Sequence, residues 1–149
     1  MKICLAASAG GHLSQLQALA PAWKGHTVTW ITSLEVGADR LRQQGQTYVV
    51  GEGNRNHPLD ILRMAWGCFY AVWRERPEVV LSTGAAPGLL ACLFGRILGA
   101  KVIWVDSIAN TRKMSLSGRL VRPIAHRVLS QWPDVAARYH GVEYAGEVL

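Results

Sequence analysis

Three short stretches carry the residues that could do chemistry. The first is Ser8-Ala9-Gly10-Gly11-His12-Leu13-Ser14, two glycines and a histidine between an apolar run and a helical pattern. Glycine lets a backbone turn sharply and come close to a ligand. The N–H groups that open the next helix attract anions, and a histidine in that place is a ligand or an acid–base group. The second stretch is Ser82-Thr83-Gly84-Ala85-Ala86-Pro87-Gly88, whose hydroxyls and backbone N–H groups could bind a pyrophosphate without formal positive charge. The third runs from Trp104 to Lys113. Its Asp106 directly follows an apolar run and could hold a sugar hydroxyl, accept a proton or cap the next helix. Arg112 and Lys113 could meet a diphosphate.

Each stretch also has a plainer reading. His12 could be a surface histidine at a helix end, and the Ser82 turn an ordinary tight strand–helix junction. The first turn lacks the G-x-G-x-x-G spacing of a dinucleotide fingerprint, and Glu35 is a poor match for a ribose-binding carboxylate. No Gly-Lys-Ser/Thr follows, so it is not a P-loop either. The cysteines, Cys4, Cys68 and Cys92, are far apart in sequence and form no CxxC pair. They read as buried small residues in a reducing compartment, not as zinc ligands or a redox dithiol. No metal and no cofactor is expected.

The elements that must position these stretches alternate. Residues 2–8 read as a buried strand, 12–23 as a helix with Leu13, Leu16, Leu19 and Ala20 on one face, and 26–32 as a β-branched strand. A polar-faced helix over 34–44 and a short strand over 47–50 follow. After a polar loop, Pro58 opens the longest helix, 58–76, which Pro77 ends. Further strands are predicted over 78–82, 101–105, 127–130 and 142–145, and helices over 88–98, 116–125 and 133–139. This is an α/β pattern: a Rossmann-like, mostly parallel sheet with helices on both faces, expected as a single domain over 1–149. Ligands bind such sheets outside the carboxyl ends of the strands, where all three stretches fall.

Half of the residues are apolar and only 17% are charged, which excludes disorder and leaves little polar surface. The net charge of +6 favours phosphate-bearing ligands or anionic lipid, and 107–133 contains no acidic residue but five Arg or Lys. The basic residues form no nucleic-acid motif. No run is apolar enough to span a membrane, and no signal peptide is read. The long helix carries Leu59, Leu62, Trp66, Phe69, Tyr70 and Trp73 on one broad face, most of it expected as core. Trp66, Tyr70 and Trp73, with Arg63, Arg74 and Arg76 nearby, also suit the interface of an anionic bilayer.

The two turns, and above all Asp106-Ser107-Ile108-Ala109, Ser115-Leu116-Ser117-Gly118-Arg119-Leu120, Ala125-His126-Arg127 and Gln131-Trp132-Pro133, resemble the PssD family of bacterial polysaccharide synthesis. Its eukaryotic relative is the Alg-fourteen subunit of the dolichol-linked N-acetylglucosaminyltransferase. The resemblance covers essentially the whole chain. It implies the N-terminal, acceptor-side half of a MurG-like GT-B glycosyltransferase. A separate PssE-like partner would hold the UDP-sugar and form a heterodimer, and the acceptor would be a sugar on a polyprenyl diphosphate. The expected location is the cytoplasmic face of the inner membrane, with peripheral attachment, since the eukaryotic relative's N-terminal anchor is not seen here.

Under that resemblance, Gly10, Gly11, Ser82, Thr83, Gly84 and Asn110, with Arg112 or Lys113, would position the acceptor diphosphate and first sugar. His12 or Asp106 would be the general base. Family members commonly carry Glu at the place of Asp106, one methylene longer. A non-catalytic scaffold that only recruits and activates the partner, and a stand-alone nucleotide-binding Rossmann enzyme, are the alternatives.

Overall fold

The computed structural model describes residues 1–53 and 56–148. Strands β1 (Lys2–Ala7), β2 (Thr27–Thr32), β3 (Gln46–Val49), β4 (Val79–Gly84), β5 (Lys101–Val105), β6 (Arg127–Ser130) and β7 (Val142–Tyr144) form one sheet in the order β3-β2-β1-β4-β5-β6-β7. Every pair is parallel. Helices α1 (Gly11–Ala18), α2 (Ala38–Gln44), α3 (Pro58–Glu75), α4 (Ala85–Ile97), α5 (Leu116–Val121) and α6 (Pro133–Arg138) connect the strands.

Parallel strands are sheathed on both faces, so their sequences are apolar runs without polar alternation. Two cores result. One lies under α1 and α2, around Leu5, Leu16, Trp30 and Leu41. The other lies under α3 to α6, around Ile31, Met64, Trp104 and Val121. This is the Rossmann-like sheet that the alternating pattern predicts.

Three boundaries differ from the sequence reading, each for a local reason. The helix expected over 12–23 ends at Ala18, and Ala20–Trp23 is a 3-10 turn. Pro21 has no N–H to donate and crowds the residue before it. The helix expected from 34 begins at Ala38, because Gly37 sits in the left-handed region at φ 81° and breaks the approach. Strand β4 runs on to Gly84, two residues past the predicted end, and α4 starts immediately at Ala85. A register shift between Ala6 and Ala7 brings Gly84 opposite Ala7.

Helix α3 differs in orientation. Its buried residues are Met64, Cys68, Ala71 and Val72. The broad face expected as core points outward: Leu59, Leu62 and Trp66 are 69%, 63% and 67% exposed, and Tyr70 and Trp73 are 39% and 49% exposed. The small residues decide this. A Cβ on Gly67 would lie 2.8 Å from Val50 Cγ1, so that side of the helix approaches the sheet closely, and the bulky side is left outside.

The three cysteines, distant in sequence, meet in the second core as free buried thiols. Burial pushes the Cys68 thiol up to about 12 and raises Cys92 further. Cys4 is raised by burial and by its two thiol neighbours.

Candidate functional site

Strands β1 and β4 are neighbours at the centre of the sheet, and the chain order departs from them in opposite directions. Such a junction is where open α/β sheets bind ligands, beyond the carboxyl ends of the strands. Here β1 delivers the Gly10-Gly11-His12 turn and β4 delivers Thr83 and Gly84. Helices α1 and α4 therefore start side by side. Neither start is capped by a side chain: their N-cap residues are Gly10, at φ 93°, and Gly84, at φ 147°. The unpaired N–H groups of a helix start favour an anion.

The two turns are latched to each other. Thr83 Oγ1 donates to the backbone carbonyl of His12 at 2.5 Å, and His12 Nδ1 lies 3.2 Å from the carbonyl of Thr83. A carbonyl only accepts, so Nδ1 carries the proton and Nε2 of the neutral ring is left as an acceptor. The ring lies over Gly84, where a Cβ would come within 2.6 Å of His12 Cε1.

Ser82 and Thr83 do not present free hydroxyls. Both are fully buried. Ser82 Oγ accepts from Gly84 N at 3.1 Å, and a Cβ on Gly88 would strike it, so α4 seats directly on this hydroxyl. Thr83 spends its hydroxyl on the latch. The sequence places a strand–helix junction here, but these side chains hold it together instead of facing outward.

Asp106 is also turned inward, at 1% exposure. Its Oδ1 accepts from Trp104 Nε1 at 3.1 Å and Ser115 Oγ at 2.6 Å. Its Oδ2 accepts from Asn110 Nδ2 at 3.1 Å and Ser115 N at 3.0 Å. Ser115 Oγ in turn accepts from Gly118 N and caps α5. One carboxylate thus closes the loop 106–115 and ties it to the start of α5. Arg112 and Lys113 stand on the outer part of this loop, exposed and without a carboxylate partner among the described residues. No group of His, Cys, Asp or Glu among the described residues is placed to hold a metal ion.

The residues that join the third stretch to the first are two buried glutamines, and the sequence reading assigned neither a role in the site. Gln15 Nε2 donates to Ser107 Oγ at 3.1 Å, and Gln15 Oε1 accepts from Ile108 N at 3.0 Å and Gln131 Nε2 at 2.7 Å. Gln131 Nε2 also donates to the Asp106 carbonyl at 3.0 Å, and Gln131 Oε1 accepts from Val148 N at 2.9 Å. The one local sign of Gln15 is a polar residue beside Leu13 and Leu16, on the inward side of α1, one turn after His12.

Against known proteins, residues 40–148 match the family model described as "Oligosaccharide biosynthesis protein Alg14 like". The chain belongs to the Alg14 family. Two relatives bear the name UDP-N-acetylglucosamine transferase subunit. That of Eremothecium gossypii is 32% identical over 141 residues, covering 77% of this chain and 63% of its own. That of Schizosaccharomyces pombe is 39% identical over 77 residues, covering 48% of this chain and 37% of its own. This Alg14-family chain therefore spans about half the length of these relatives. Among solved structures it is similar to MurG of Acinetobacter baumannii, with TM-score 0.77 at 18% identity, over 97% of this chain and 45% of that one. The UDP-GlcNAc 2-epimerase of Methanocaldococcus jannaschii superposes with TM-score 0.72 at 14% identity, over 99% of this chain and 46% of that one. The likeness is one of fold: an N-terminal GT-B half. Among the described residues, no helix is long and apolar enough to cross a membrane.

Proposed function

We propose that this chain, read as a single domain, is the acceptor-binding and membrane-recruiting subunit of a two-component glycosyltransferase, as in the PssD family. A separate, PssE-like subunit holds a UDP-sugar. The acceptor is a sugar on a polyprenyl diphosphate at the cytoplasmic face of the membrane. The observation that carries the reading is the meeting of two uncapped helix starts beneath His12 at the β1/β4 junction. Membership in a family whose relatives are named as UDP-N-acetylglucosamine transferase subunits supports it.

The acceptor diphosphate sits against the N–H groups at Gly10 and Gly11, with Arg112 or Lys113 reaching it from the third loop. The acceptor hydroxyl then attacks the anomeric carbon of the donor sugar. A C–O bond forms, the bond to UDP breaks, and His12 Nε2 takes the hydroxyl proton. Between the two candidate bases, His12 is favoured, because the Nδ1 contact selects the tautomer whose Nε2 is the acceptor. Both oxygens of Asp106 already accept hydrogen bonds, and Asp106 and Asn110 together shape the loop that carries Arg112 and Lys113. The outward face of α3, with Trp66, Tyr70 and Trp73 beside exposed Arg63 and Arg74, rests on an anionic bilayer.

The test is reconstitution. The chain is co-purified with the product of a neighbouring gene, and transfer from a panel of UDP-sugars to a lipid diphosphate-linked sugar is measured. Transfer by the pair and by neither subunit alone is expected. Tight binding of a UDP-sugar by this chain alone would instead favour a stand-alone nucleotide-binding enzyme.

A further inference from the structure

A hollow adjoins the first turn of α4 at the carboxyl ends of β1 and β2. It measures about 190 Å³ and is walled by Ser8, Ser33, Glu52, Gly53, Ala85 and Pro87. These residues come from the carboxyl ends of β1 and β2, the loop after β3 and the first turn of α4. Ser33 is 2% exposed, and its Oγ accepts from Ala9 N at 2.9 Å, which leaves the hydroxyl proton to donate. Among the described residues, no hydrogen bond or ion pair engages the Glu52 carboxylate or the Ser8 hydroxyl. The loop that carries Glu52 is seated on α3, since a Cβ on Gly53 would lie 2.7 Å from Met64 Cε. Ala85 holds φ 64°, a left-handed conformation that a non-glycine residue keeps only where its surroundings enforce it.

We propose that this hollow is a subsite for the uncharged sugar ring of the acceptor, with Glu52 and Ser33 binding its hydroxyls. The inference rests on the acceptor-side reading above. Three features choose the ligand. The carboxylate repels a phosphate, so the diphosphate stays with the helix starts and Arg112 or Lys113, while the hollow takes a neutral group. A carboxylate that accepts and a hydroxyl that donates match the paired character of a sugar hydroxyl. The volume is below the ~300–1,000 Å³ of sites for drug-sized ligands, so it suits one small ring and not a nucleotide. The hollow and the His12 ring flank consecutive residues, Ala85 and Gly84, which places a bound ring next to the proposed base.

The test uses the full chain and two probes, a short-chain prenyl diphosphate bearing N-acetylglucosamine and the same prenyl diphosphate without a sugar. Binding of each is measured for the wild type and for Glu52→Ala, with Glu52→Gln as the conservative variant. Loss of a hydrogen bond to a charged group predicts about tenfold weaker binding of the sugar-bearing probe by Glu52→Ala, unchanged binding of the bare one, and partial recovery in Glu52→Gln. Equal weakening of both probes, or of neither, overturns the subsite and leaves the acceptor reading standing. A wild-type chain that binds neither probe overturns the acceptor reading and the subsite with it.

Discussion

Thr83 and His12 are joined twice across 71 residues of sequence. The Thr83 hydroxyl donates to the His12 carbonyl at 2.5 Å, and the Thr83 carbonyl sits 3.2 Å from His12 Nδ1. This pair makes one rigid mouth of two turns that come from different strands. It also sets the tautomer of the ring, because the carbonyl leaves Nδ1 no role but that of donor.

Breaking the latch at its hydroxyl should cost stability before chemistry. Thr83→Val keeps the shape and removes the donor, so the hydrogen bond to the His12 carbonyl is lost. A loss of about 1–2 kcal/mol is expected by urea unfolding. Gly84→Ala should do more, since its Cβ meets the His12 ring and φ is 147° there. A loss of about 1–3 kcal/mol, with transfer by the reconstituted pair falling at least tenfold, is expected.

His12→Gln separates catalysis from scaffolding. A general base contributes about 10²–10⁴-fold, so kcat of the reconstituted pair should fall by that order while complex formation and thermal stability hold. Near-normal turnover with an intact complex would remove His12 from the role of base, and the same result for Asp106→Asn would favour the scaffold reading.

Asp106→Asn should act on folding of the third loop. The carboxylate accepts from four donors, and an amide in its place turns one acceptor into a donor facing another donor. A loss of about 3 kcal/mol is expected, together with faster hydrogen exchange over 107–115. Exchange unchanged from the wild type would remove Asp106 from its role as the loop's organiser.

The exposed aromatic face of α3 can be tested without touching the core. Trp66→Ser with Trp73→Ser should change stability by no more than about 0.5 kcal/mol, because both side chains are about half exposed or more. Co-sedimentation with anionic vesicles should drop several-fold, and binding by the wild type should weaken as salt is raised. Equal binding by both proteins would move the membrane contact elsewhere.

The buried thiols predict an alkaline limit. A thiol with its pKa raised in the folded state is protonated there while the unfolded chain ionises, so the unfolded state binds fewer protons. Stability is then fully present below the ordinary value of 9.0 and is lost as pH rises towards about 12 for Cys68. Melting temperature should decline from about pH 9 upward, and Cys68→Ala should flatten that decline. Tyr48, raised to about 12 by burial and its hydrogen bond to Glu75, adds to the same limb above its ordinary value of 10.0.

Local patterns were enough to determine the order of strands and helices and the class of sheet. Apolar and β-branched runs, helical periods, and Gly or Pro at the ends are properties of neighbouring residues, and so the three stretches could be placed at the carboxyl ends of β1, β4 and β5. Tertiary structure decided two further matters. The face of α3 that became core was chosen by Gly67, Cys68 and Ala71, because close approach to Val50 and the sheet outweighed the larger apolar area of the tryptophans. The polar side chains of the site were sorted into those that hold it and those left over. Ser82 and Asp106 turned inward because the buried backbone and indole N–H groups beside them required partners, and the buried Thr83 hydroxyl found its own in the His12 carbonyl. The hydrogen bonds that lock the arrangement, His12 with Thr83 and Gln15 with Gln131, span 71 and 116 residues. No local pattern encodes a bond of that separation; it forms only when the sheet has brought the strand ends together.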